Sequence, residues 1–290
     1  MHQSSLPPQK QMTTMIGHPV AENPIDLMFD AVYAHYGLPW RFWKCDVASE
    51  AMLGAAIAGI RALGFAGACI TVPYKVASIE HLDDVDDDVK AIGATNYVTI
   101  EGDRLIGHNN DGKGVAKAID KVVPIEGKRI VMFGAGGAGR AMAVELAWAG
   151  ASHLTLVTRR EEQGTEVAGR VEQAADVPAE WMPWIGEVVV PEATDILMNA
   201  TPLGSWPALE KVAVDWSSIG SAVTVVDVIT NPRITPFLQT AMRNRCTIVD
   251  GVEMLVQLAM QIFAQWTGVK PDERVFQSAV AAALGERSPE

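Results

Sequence analysis

A lysine at 75 and an aspartate at 111 could pass a proton to and from a bound hydroxyl group. Lys75 follows the apolar run Ala68-Cys69-Ile70-Thr71-Val72, so its amine emerges from the core at a strand end. A partly desolvated amine releases its proton more readily than a solvated one, which suits general acid–base work. Asp111 lies in the polar stretch Gly107-x-Asn109-x-Asp111-Gly112, where it can orient the amine and accept a bond from a substrate hydroxyl. Asn96 adds an amide donor and Thr71 a hydroxyl. Taken singly, these residues also read as a surface lysine and a helix-capping aspartate.

A second chemistry lies in VMFGAGGAGRA, where Gly134-x-Gly136-x-x-Gly139 joins an apolar run to a helix of small residues. In that context the spacing predicts dinucleotide binding. Gly134 permits the tight turn, and Gly136 lets the backbone approach a pyrophosphate, whose charge the helix N-terminus stabilises. Gly139 lets the helix pack close to its strand, and Ala135, Gly137 and Ala138 complete the loop. No GxxxxGK[ST] phosphate loop is present. At the end of the next strand, an acid would hold the ribose of NAD and arginine would favour NADP. Thr158-Arg159-Arg160-Glu161 offers both.

These residues need elements to position them. Residues 12–16 read as a strand. Asn23 reads as an N-cap with Pro24 at the first helical position, and Gly37 ends that helix. A strand near 41–45 and a helix near 49–63 lead to the strand before Lys75. A hairpin over 96–107 turns at Glu101-Gly102-Asp103, and a helix over 113–121 leads into the glycine-turn unit. Strands at 129–133, 153–157, 195–198, 223–227 and 247–249 alternate with helices, which predicts a parallel sheet covered on both faces. Residues 253–266 form a last long amphipathic helix. The Asp-rich stretch 83–88 reads as a solvated helix start rather than a cation site.

The chain has 290 residues and a net charge of -12, so it is long enough for two domains and poorly suited to gripping nucleic acid. With 49% hydrophobic and 20% charged residues it reads as a folded chain. Cys45, Cys69 and Cys246 form no metal pattern, and their odd number argues against a disulfide framework; a cytoplasmic location is expected. No apolar window is long enough to cross a bilayer.

In its motifs the chain resembles the shikimate dehydrogenase family from Gly17 to about residue 270. The matching stretches are Ile16-Gly17-x-Pro19, Thr71-Val72-Pro73-Tyr74-Lys75, Ile92-Gly93-Ala94-x-Asn96, Gly107 to Gly112, Gly134 to Gly139, Asn199-Ala200-Thr201-Pro202-Leu203-Gly204, Thr235-Pro236, and Gly251-x-x-Met254-Leu255. The resemblance implies an N-terminal α/β substrate-binding domain, a Rossmann-type doubly wound NAD(P)-binding domain, and a C-terminal helix returning to the first. The expected division is a flexible tail over 1–10, substrate binding over 11–112 completed by 253–290, and dinucleotide binding over 113–252. It further implies reversible hydride transfer between NAD or NADP and a small hydroxylated ring substrate, with Lys75 and Asp111 as the catalytic pair. Asn199, Ala200, Thr201, Pro202, Val228, Gly251 and Met254 fall in its cofactor-binding stretches.

The departures fall on substrate recognition. The family's two carboxylate-binding serines correspond to Asn23 and Ile25, its tyrosine to Thr230, and its glutamine to Leu258 with Gln257 adjacent. Asn23, Thr71, Asn96 and Gln257 are therefore the candidate substrate contacts, and quinate or another hydroxylated ring or polyol is expected rather than shikimate. Gln163, where NADP-using relatives often carry a base, tips the cofactor slightly towards NAD. A homodimer is a further expectation. The competing reading is a non-catalytic ligand sensor on the same fold; a folate-linked dehydrogenase fits the motifs less well.

Overall fold

Short apolar runs build two separate sheets, and the turns and helix starts that follow their strands hold the polar residues of interest. A computed structural model describes residues 10–285, so positions 1–9 of the expected tail lie outside the described residues. The first sheet holds β1 (Gln11–Gly17), β2 (Trp40–Asp46), β3 (Gly67–Ile70), β4 (Asp84–Val85), β5 (Tyr97–Glu101) and β6 (Arg104–His108). Their order is β2-β1-β3-β5-β6-β4. β1 runs parallel to β2 and β3, whereas β5 is antiparallel to β3 and β6. The expected hairpin is present, with Gly102 at φ 64° in its turn. Helices α1 (Ile25–His35), α2 (Leu53–Ala62) and α3 (Asp87–Ile92) accompany this sheet.

Helix α4 (Asp111–Asp120) leads into the second sheet. That sheet holds β7 (Arg129–Phe133), β8 (His153–Thr158), β9 (Ala179–Pro183), β10 (Ile196–Asn199), β11 (Thr224–Asp227) and β12 (Thr247–Val249). All its pairings are parallel, in the order β12-β11-β10-β7-β8-β9. Read from β9, this is the doubly wound 3-2-1-4-5-6 order, whose crevice lies at the carboxyl ends of the strands where the order reverses. Helices α5 (Gly137–Trp148), α6 (Glu161–Ala175) and α7 (Pro236–Arg243) belong to this unit.

The chain then returns to the first sheet through α8 (Gly251–Thr267) and α9 (Glu273–Ala283). Phe263 and Phe276 pack edge to face with centroids 5.5 Å apart, and Phe263 stacks on Tyr33 of α1. Tyr97 donates to Gln265 at 2.7 Å, and the Trp266 indole donates to the Val98 carbonyl at 3.1 Å. Arg170 of α6 crosses to α3, donating to the Ala91 carbonyl at 3.1 Å. The two units are thus joined by the chain returning through α8 and by Arg170.

Two local readings change. Helix α1 begins at Ile25, with Pro24 rather than Asn23 at the cap; the Asn23 side chain instead accepts from the Ile25 N–H at 3.0 Å. The strand before Lys75 stops at Ile70 rather than Val72, so Thr71 and Val72 belong to the following turn. Among the acids of 83–88, Asp86 caps α3 through the Val89 N–H at 2.8 Å.

The start of α4 lies against α5 where Gly112 has no side chain. A Cβ there would sit 2.4 Å from the Ala141 carbonyl oxygen and 2.5 Å from Glu145 Cβ. Gly112→Ala is expected to push the helices apart and cost about 1–3 kcal/mol of stability, read as a lower urea midpoint. An unchanged midpoint would show that the helix pair gives way without strain.

Candidate active site

A crevice of about 180 Å³ opens between the two units. Its polar lining comes from Asn23, Thr71, Lys75, Asn96, Asp111 and Thr230. The remainder is largely apolar, with Ile25, Met254, Leu255, Leu258 and Ile262 prominent. Lys75 binds Asp111 directly, and their side chains are 12% and 4% exposed. Burial on this scale makes the pair sensitive to geometry, because desolvation opposes charge unless every partner is in place.

The partners are supplied by the first sheet and the turns around it. The Lys75 carbonyl accepts from the Thr95 N–H at 2.7 Å, and buried Tyr74 donates to the Val47 carbonyl at 2.5 Å, fixing the turn that presents the lysine. Asp111 Oδ1 accepts from Asn96 Nδ2 at 2.9 Å, while its Oδ2 receives Lys75. Asn96 Oδ1 accepts from the Asn110 N–H at 3.0 Å, and Asn109 Oδ1 accepts from the Asp111 N–H at 3.0 Å. Asn110 Nδ2 donates to the Leu258 carbonyl at 2.9 Å, linking the network to α8. Asn109 and Asn110 were not singled out as candidate ligands; their signal in sequence is three polar side chains in succession at a helix start.

A larger cavity of about 430 Å³ lies at the carboxyl ends of β7, β8 and β10. The glycine turn forms its floor. Gly134 has φ 95°, and a Cβ there would meet Thr201 at 2.7 Å. At Gly139 a Cβ would lie 2.5 Å from the Gly134 carbonyl oxygen. Gly136 faces open space, with nothing within 4 Å of a Cβ, and α5 starts there with no side-chain cap. Free N–H groups of a helix start, reached across bare backbone, suit a pyrophosphate. The residues therefore fit a dinucleotide. Thr158, Arg159, Arg160, Ala200, Thr201 and Pro202 also line this cavity, with Trp184, whose ring lies 5.3 Å from the Arg159 guanidinium carbon.

Several expected contacts separate from these cavities. Glu161 opens α6 but does not line the dinucleotide cavity. Gln163 does, and it donates to the Ala135 carbonyl at 2.9 Å and accepts from Arg160 at 3.0 Å. Val228, Gly251, Met254 and Ala138 line the smaller crevice instead of the glycine-turn cavity. Gly137 lies beneath Lys75, where a Cβ would sit 2.7 Å from Lys75 Cβ. Asn199 is fully buried and shapes the cavity through Thr201, whose N–H and hydroxyl its Oδ1 accepts at 3.1 and 2.7 Å, and through Leu203, to whose carbonyl its Nδ2 donates at 3.0 Å. Gln257 turns away from the crevice to donate to Glu253 at 3.1 Å, while Leu258 faces in. His108 does not line the crevice and lies between Asp86 and Thr99, at 2.7 and 2.8 Å.

A doubly wound sheet carrying a glycine-turn cavity next to a polar crevice defines the class: a two-unit dinucleotide-binding protein. Residues 15–98 match the family described as shikimate dehydrogenase substrate binding domain. The NADP(+) shikimate dehydrogenase of Moorella thermoacetica is 37% identical over 96% of this chain and 95% of its own. Among solved structures, the ligand-free 5-ketofructose reductase of Gluconobacter sp. strain CHM43 is 38% identical with TM-score 0.86, covering 94% of this chain and 99% of that one. The quinate dehydrogenase of Corynebacterium glutamicum in complex with NAD is 28% identical with TM-score 0.85, covering 94% and 100%. The chain belongs to the shikimate dehydrogenase family.

The amide network makes a prediction about stability. Asn96→Leu removes the donor to Asp111 Oδ1 and Asn110 Oδ1 and the acceptor of the Asn110 N–H, leaving three buried groups without that partner. A loss of at least about 2 kcal/mol is expected in urea unfolding. A loss below about 0.5 kcal/mol would mean that the network reorganises without cost.

Proposed function

We propose that this chain reduces the carbonyl of a neutral polyhydroxylated ketone with NADPH, and oxidises the corresponding alcohol in reverse. The carrying observation is the lining of the crevice. Ile25 and Leu258 present hydrocarbon where the family has a serine and a glutamine, and Thr230 replaces its tyrosine. Asn23 remains polar, but its oxygen already holds the Ile25 N–H, leaving its amide donors for a ligand. Lys44, near this end, donates to the Ala21 and Asn23 carbonyls at 2.8 and 2.9 Å and lies 3.1 Å from Asp26, so its charge is engaged. A carboxylate would enter without a paired donor set. A hydroxylated ketone needs none, and the reductase from Gluconobacter makes 5-ketofructose the first compound to test.

When bound, the nicotinamide donates or accepts the hydride. The Lys75 ammonium donates a proton to the oxygen of the carbonyl being reduced, and water restores that proton after the product leaves. Asp111 accepts from Lys75 and holds it in place. Asn96 fixes the carboxylate and Thr71 offers a further hydroxyl to the ligand. A sensor has no need of such a pair, so the enzymatic reading accounts for more of the site.

Arg159 and Arg160 face the dinucleotide cavity while Glu161 does not, which favours a cofactor with a 2′-phosphate. In this reading the substrate unit takes 11–112 with 253–290, of which 286–290 lie outside the described residues, and the cofactor unit takes 113–252. The described cysteines are all free and no described helix is long and apolar enough to cross a membrane, in keeping with a cytoplasmic enzyme. A homodimer completes the proposal.

Three experiments follow. With NADPH, 5-ketofructose should be consumed with a kcat/KM at least about 100-fold above that for shikimate oxidation with NADP+; robust shikimate turnover would overturn the substrate assignment. Lys75→Met and Asp111→Asn should each lower kcat at least about 100-fold while leaving cofactor affinity within twofold, and turnover near that of the parent would remove the pair from the mechanism. Arg159→Ala should weaken NADP+ binding by about tenfold or more with a smaller effect on NAD+; equal losses would point to a general role at the adenine end.

A further inference from the structure

Asp227 ends β11 at 0% exposure, opposite Asn199 in the parallel register. Among the described residues its oxygens meet neutral donors: Asn199 Nδ2 at 3.1 Å, the Ile229 N–H at 3.1 Å and the Thr235 hydroxyl at 2.6 Å. Asn199 in turn holds Thr201 through Oδ1 and the Leu203 carbonyl through Nδ2 at 3.0 Å, and both residues line the dinucleotide cavity. The Ile229 bond fixes the turn carrying Val228 and Thr230, which line the substrate crevice. Thr235 caps α7 by accepting from the Leu238 N–H at 3.2 Å. One carboxylate therefore joins the loops that wall both cavities.

We propose that Asp227 is a positioning residue, setting the cofactor wall through Asn199 and the substrate wall through Ile229, and that protonating it loosens both. The inference rests on the cofactor occupying the glycine-turn cavity; absence of NADP+ binding by the parent protein would expose failure of that reading separately. The ionised form accepts from three donors at once. A protonated carboxyl loses its full charge and carries a hydrogen on one oxygen, so the bonds to Asn199 and Ile229 weaken and any bond on the protonated oxygen must reverse or open.

Burial raises the Asp227 carboxyl to about 6, opposed by the Thr235 hydroxyl, the Ile229 N–H and the Asn199 amide. The charged groups on adjoining elements bind elsewhere. Asp250, after β12, accepts from Arg233 at 2.9 Å. Asp195, at the far end of β10, lies 3.3 Å from Lys128. Arg243 stands at the far end of α7.

The test is calorimetric titration of NADP+ into the full chain and into Asp227→Asn at pH 7.5 and pH 5.0, with circular dichroism to confirm folding. The 2′-phosphate titrates near pH 6 as well, at about the same value in both proteins, so the comparison cancels it. At pH 7.5 the variant should bind NADP+ about tenfold more weakly and show a raised substrate KM. From pH 7.5 to 5.0 the parent Kd should rise about fivefold more than that of the variant, as the ionised fraction falls. A folded Asp227→Asn with Kd and KM within twofold of the parent at pH 7.5, or with the parent's pH response, overturns the proposal. Thr235→Val decides the matter if Asp227→Asn does not fold. Losing that hydroxyl should move the acid limb of NADP+ binding to higher pH, and an unmoved limb overturns the proposal.

Discussion

A buried ammonium–carboxylate contact can exist only where the chain supplies every remaining bond, and that constraint organises the space between the two sheets. Lys75 and Asp111 meet there almost out of reach of water. Three asparagines hold the carboxylate side, and a backbone bond from Thr95 holds the lysine turn. On the other face Gly137 withholds a Cβ so that the glycine-turn helix can lie under the lysine. The same bare backbone that suits a pyrophosphate thus brings the dinucleotide unit against the amine.

The two cavities have different characters because different elements wall them. The dinucleotide cavity is built on strand ends of one parallel sheet and is edged by two arginines. The crevice is assembled from both units, with an apolar wall from α8 and the start of α1 and a polar one from the first sheet and its turns. In the proposed mechanism the polar wall handles the proton, while the apolar wall, through Ile25 and Leu258, selects the ligand. Substrate choice can then drift within one family without disturbing the amide network around Asp111.

Much of this was legible in the residues. The GxGxxG turn, the strand ahead of Lys75, the hairpin at Gly102 and the parallel second sheet follow from local rules of backbone freedom and hydrophobic period. What stayed hidden depends on rotation and burial. Gln257 and Leu258 are neighbours on one helix, and only packing against α4 and the first sheet decides which faces the crevice. Glu161 and Gln163 exchange importance for the same reason. Helix α9 and strand β9 are not among the expected elements, although Asp272 and the alanine-rich ERVFQSAVAAA carry a helix signal. Asp227 reads as an ordinary strand-end acid until the register sets it beside Asn199.

The most direct check is a crystal structure of the ternary complex with NADP+ and the alcohol product of 5-ketofructose reduction. The account predicts the reacting hydroxyl within about 2.6–3.2 Å of the Lys75 Nζ, with Asp111 still bound to that amine. A product seated in the crevice with its reacting oxygen turned to another residue, and Lys75 left outside its reach, would contradict it.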